Sequence, residues 1–71
     1  MKPIQISDYE WWFMGCFIQH QKHKRIKLIY RVFKDNEAQD DVGFFGSYKE
    51  AKAACIENKV EDYKLGYKIF L

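Results

Sequence analysis

The sequence predicts an α+β fold: a small antiparallel β-sheet of three to four strands with one helix packed on one face, in the order β-β-β-α-β. Three observations predict it. From Trp11 to Phe33, two apolar runs flank a basic segment with no acid in it, as an antiparallel hairpin with a charged tip does. Ser47 opens a stretch of helix formers with a capping signal. Tyr63 to Leu71 alternates apolar residues with Lys64, Gly66 and Lys68, the pattern of a half-buried strand.

A chain of 71 residues has room for one small domain, spanning 1–71. Its 48% hydrophobic and 18% aromatic content separates it from disordered sequences, because aromatic burial offsets chain entropy. A core of this size supplies roughly 3 to 5 kcal/mol of net stability, so dimerisation or a lasting protein partner is expected to matter.

Residues 1–8 are a polar lead-in that holds the only proline and lies along a sheet edge near Ile4 and Ile6. Tyr9 to Gln19 is read as the first strand, interrupted by Gly15, whose lack of a side chain fits a bulge or a packing gap opposite Ile29. His20 to Arg25 forms the tip, and Ile26 to Phe33 is the second strand, rich in β-branched and aromatic residues.

Pairing about a tip near Lys22 sets register and faces together. The even face receives Trp12, Met14, Cys16 and Ile18 opposite Val32, Tyr30, Leu28 and Ile26. The odd face receives Trp11, Phe13 and Phe17 with Phe33, Arg31, Ile29 and Lys27. Lys34 to Asp41 has the Asp and Asn content of a turn, and Val42 to Phe45 is a short third strand ending at Gly46.

The helix begins at Ser47. A serine followed three residues later by Glu50 forms a capping box, in which the hydroxyl accepts from the Glu50 amide while the Glu50 carboxylate reaches back to accept from the Ser47 amide. Ala51, Ala54, Cys55 and Asn58 fall at helical spacing. This stripe of small residues lets the helix lie close against the even face.

The formal charge of +2 is too small to announce a nucleic-acid binder. Its distribution is polarised: six Lys or Arg residues and no acid lie between His20 and Lys34, whereas Asp35, Glu37, Asp40 and Asp41 follow with no base. Two cysteines, Cys16 and Cys55, are too few for a disulfide framework and are read as buried thiols. The only apolar run near the start, Trp11 to Ile18, is too short to span a bilayer and lacks a small-residue cleavage site. A cytoplasmic setting without membrane contact is expected.

Catalytic and metal constellations fail on geometry. Cys16 and His20 stand four apart on one strand, about 13 Å at roughly 3.3 Å per residue, too far to share a zinc ion or a proton. The acids of 35–41 sit in a loop with no apolar wall to raise a pKa. The expectation is therefore no enzyme, no metal, no cofactor and no small-molecule substrate.

What remains is a surface. Trp11, Phe13, Phe17, Ile29, Arg31 and Phe33 form a predicted protein interface, since aromatics and arginine concentrate at interface centres. Alternatively Lys22, Lys24, Arg25 and Lys27 contact phosphates while the aromatic face stacks bases of RNA or DNA. The segment FFGSYKEAKAACIENK resembles the strand-turn-helix of small accessory proteins of bacteria and their phages, about a quarter of the chain. That resemblance rests on shared capping chemistry, assigns no site residue and implies a protein partner.

Overall fold

The computed structural model describes residues 2–21 and 29–60. Five strands form one antiparallel sheet in sequence order: β1 (Ile4–Ser7), β2 (Glu10–Phe13), β3 (Cys16–Gln21), β4 (Ile29–Lys34) and β5 (Asp41–Phe45). One helix, α1 (Tyr48–Glu57), follows and packs across β3, β4 and β5. The α+β class with one helix on one face stands, but the sheet already has five strands among the described residues rather than three to four. The additional strands come from the lead-in, which is edge strand β1, and from a break in the expected first strand. The expected last strand, Tyr63–Leu71, lies outside the described residues.

The break falls at Met14 and Gly15, whose φ angles of 53° and 80° are both positive. Two consecutive positive φ values make the primed two-residue turn whose twist matches that of antiparallel strands. Phe13 therefore faces Cys16, Trp12 faces Phe17, and Trp11 faces Ile18. Gly15 is thus neither a bulge nor a gap opposite Ile29, which pairs with Gln21. Its bare Cα is required a second time, because a Cβ there would lie 2.3 Å from the Val60 carbonyl oxygen.

The β3–β4 hairpin is also shifted from the expected register: Cys16 faces Lys34, Phe17 faces Phe33, and Ile18 faces Val32. The shift is by an even number of residues, so β3 and β4 keep their predicted faces. The new turn reverses the faces of β2. Trp11 and Phe13 join the helix side, and Trp12 moves to the other.

The core is consequently divided by the sheet. On the helix side, Phe13, Cys16, Ile18 and Val32 pack with Ala51 and Cys55, bordered by Trp11, Met14, Tyr30, Val42, Phe45, Tyr48 and Val60. On the opposite side, Trp12, Phe17 and Phe33 cluster with Ile4. The helix lies on the predicted face by its small residues, with Ala51, Ala54 and Cys55 buried. Ser47 is its N-cap, and the hydroxyl accepts from the Glu50 amide at 3.2 Å. Asn58 ends the helix, donating from its backbone and side-chain amides to the Ala54 carbonyl at 3.0 and 2.9 Å. The Val60 amide then donates to the Met14 carbonyl at 2.9 Å, tying the helix exit to the β2–β3 turn.

Candidate interaction surface

Large apolar groups remain accessible at Ile6 and Tyr9 around the β1–β2 turn and at Phe44 on β5, where β4 supplies polar neighbours. Arg31 on β4 faces Phe44 on β5, and Tyr30 faces Phe45, so the adjacent phenylalanines point to opposite sides of the sheet. A register irregularity between Val32 and Phe33 brings Asp41 to the same side as Arg31 and Phe44. There Arg31 donates to Asp41 Oδ1 from Nε at 2.9 Å and from Nη2 at 2.6 Å. Its guanidinium carbon stands 4.5 Å from the centre of the Phe33 ring, a cation–π contact within the same face.

Phe44 leaves this cluster 61% exposed. On the other side of the same strand, Phe45, Glu50, Ala53, Ala54 and Glu57 line an open groove of about 350 Å3 between β5 and α1. Its floor is aromatic and methyl, and two carboxylates supply its charge. The outer face of α1 adds an exposed Ile56.

The residues predicted as a single interface are divided by the folded sheet. Phe13, Phe17 and Phe33 are between 4% and 8% exposed and belong to the two core clusters. Trp11 packs edge-on against Tyr48 on the helix side, with ring centres 5.1 Å apart. Phe17 and Phe33 stack across β3 and β4 at 5.2 Å. Ile29 and Arg31 are half-buried on the helix-free side. Lys22, Lys24, Arg25 and Lys27, the predicted phosphate contacts, lie outside the described residues.

Asp35 also departs from its expected environment. The loop pattern of 35–41 predicts an acid without an apolar wall, yet Asp35 is only 2% exposed, and Trp12 Nε1 donates to its Oδ2 at 3.0 Å. Backbone pairing carries it inward: the Asp35 amide donates to the Gly15 carbonyl at 2.8 Å, extending the β3–β4 ladder past its last strand residue. His20 stacks on Tyr30 at 4.6 Å with planes 10° apart, and its Nε2 is buried without a hydrogen-bond partner. Among the described residues, no group of three or more His, Cys, Asp or Glu side chains is arranged to hold a metal ion. No described helix is long and apolar enough to cross a membrane.

Phe44 and the groove were absent from the sequence-derived interface. The Phe44–Phe45 doublet carried a usable signal, because neighbouring residues of a strand face opposite ways and one helix covers only one face. No family model, curated protein or solved structure matches this chain.

Proposed function

We propose that this protein is a non-enzymatic binding module that associates with another protein through the flank built by β4, β5 and α1. The observation that carries the reading is Phe44, a large ring left 61% exposed beside Arg31. Exposed aromatics next to arginine are enriched where protein interfaces form. The groove behind the strand extends the same flank, and its lining sets the chemistry of the partner: apolar groups to meet Phe45 and Ala53, with cations near Glu50 and Glu57. A cytoplasmic inhibitor or adaptor of the small accessory type fits this size and surface.

Nucleic-acid binding through the basic segment is the second reading, favoured by the acid-free charge run from His20 to Lys34. It ranks lower because Arg31, the cation of that run beside the exposed ring, already pairs with Asp41.

Affinity capture from the native host, with and without nuclease, tests the choice. A Phe44→Ser variant is expected to release the captured protein while changing stability by no more than about 0.5 kcal/mol, as exposed substitutions do. Capture that survives Phe44→Ser overturns the proposed flank. Capture lost to nuclease, together with salt-sensitive oligonucleotide binding abolished by Gln at Lys22, Lys24, Arg25 and Lys27, transfers the function to nucleic acid.

A further inference from the structure

The two cysteines lie far apart in sequence but meet in the fold. Cys16 is the first residue of β3, directly after the Met14–Gly15 turn, and Cys55 is in the last turn of α1. Both side chains are fully buried in one core cluster, where each thiol shifts the pKa of the other. Cys16 Sγ also donates to the Asn58 carbonyl at 3.6 Å, which seats it beneath the C-cap of the helix. We propose that Cys16 and Cys55 are a redox pair, whose oxidation joins the two sulfurs and locks the C-terminal turn of α1 onto β3.

The environments of the thiols assign the order of events. The Cys55 thiol, helped by Lys34 on the neighbouring strand, lowers the Cys16 pKa despite burial. The Cys16 thiol, together with burial, raises that of Cys55. Lys34, the strand partner of Cys16, stays beside it when the helix end lifts, so Cys16 is the thiolate that attacks first and Cys55 is the resolving thiol.

With a low-molecular-weight disulfide such as oxidised glutathione as the oxidant, the exchange balances. The Cys16 thiolate attacks one glutathione sulfur, the glutathione S–S bond breaks, and one glutathione thiolate leaves. Cys55 gives its proton to solvent and attacks the Cys16 sulfur, expelling the second glutathione. One protein S–S bond has formed and one glutathione S–S bond has broken. Two electrons have passed to glutathione, and both protons lost by the protein are taken up by the departing thiolates.

Burial selects the end product. Neither sulfur reaches solvent in the folded chain, so reaction waits on a local opening in which the helix end separates from the β2–β3 turn. A glutathione left on either sulfur could not return to a close-packed core. The internal disulfide adds no atoms and can. Closing it fixes α1, which supplies every groove-lining residue except Phe45.

The test uses the full chain, which holds two cysteines and so has one intramolecular disulfide available. Native protein incubated with oxidised glutathione is expected to lose about 2 Da as a monomer, a change reversed by dithiothreitol. The oxidised form should unfold several degrees higher, by at least about 4 °C. A persistent glutathione adduct, covalent dimers alone, or no mass change short of globally unfolding denaturant would overturn the proposal. The loss of 2 Da at a rate insensitive to low denaturant, with the native fold retained, would identify the local opening as its route.

Discussion

At Gly15 the backbone holds a φ of 80° directly after Met14 at 53°, and those two angles assign the faces of every residue in β2. An extended backbone there would have continued one long strand, leaving Trp11 and Phe13 on the helix-free side and Trp12 beneath the helix. The turn reverses this, and Trp12 instead reaches the buried Asp35 carboxylate. Gly15→Ala combines a disfavoured positive φ with a Cβ placed 2.3 Å from the Val60 carbonyl oxygen. It is expected to cost on the order of 2 kcal/mol or more, read as a lower denaturation midpoint in urea. An unchanged midpoint would mean that the chain does not turn at this residue. Met14 is the less suited half of the turn, where asparagine is usual, but its side chain borders the helix-side core and gains contacts that asparagine would lack.

Among the elements, α1 is the one whose start is fixed by local chemistry. Its stripe of Ala51, Ala54 and Cys55 offers little area per residue, so the cap carries an unusual share of what keeps the first turn formed. Ser47→Ala removes the acceptor for the Glu50 amide and should lower stability by about 1 kcal/mol, measured by chemical denaturation followed by circular dichroism. Retention of full stability would place the helix start elsewhere. The outer strands have a different character. Register irregularities interrupt the ladder between Gln5 and Ser7 on β1 and opposite Val32 and Phe33 on the β4–β5 side. Bulged, short outer strands are poor templates for strand addition.

For the whole molecule, the decisive fact is that both faces of the sheet bear buried aromatics. Phe13 belongs to the helix-side cluster, and Phe17 belongs to the cluster with Trp12 and Phe33. The idea of one aromatic face awaiting a partner therefore gives way to two core layers, with exposed apolar side chains left at Ile6 and Tyr9, on Phe44 of β5 and on Ile56 of α1. Phe13→Ser and Phe17→Ser should each destabilise by roughly 3 kcal/mol or more, because each empties a packed site and introduces a hydroxyl. Thermal unfolding monitored by tryptophan fluorescence separates this outcome from its alternative. Variants that keep the native midpoint while altering association would return these rings to an interface.

The hydrophobic pattern, with the Ser47–Glu50 capping signal, determined the α+β class, the antiparallel pairing of β3 with β4, the helix and its cap, and the face on which the helix rests. Each of these follows from interactions within a few residues or from a period that survives an even shift of register. The sequence could not show that Met14 would accept a positive φ, because methionine is not a turn residue and Gly15 fits a strand bulge equally well. That one local choice was made by tertiary contacts: the Val60 carbonyl pressed against Gly15, the Val60 amide bonded to the Met14 carbonyl, and the Asp35 amide bonded to the Gly15 carbonyl. From it follow the faces of Trp11, Trp12 and Phe13 and the burial of Asp35. The meeting of Cys16 with Cys55 and the exposure of Phe44 likewise depend on how α1 and β5 lie against the sheet. These groups are distant in sequence, and only the packed helix and sheet bring them together or leave them uncovered.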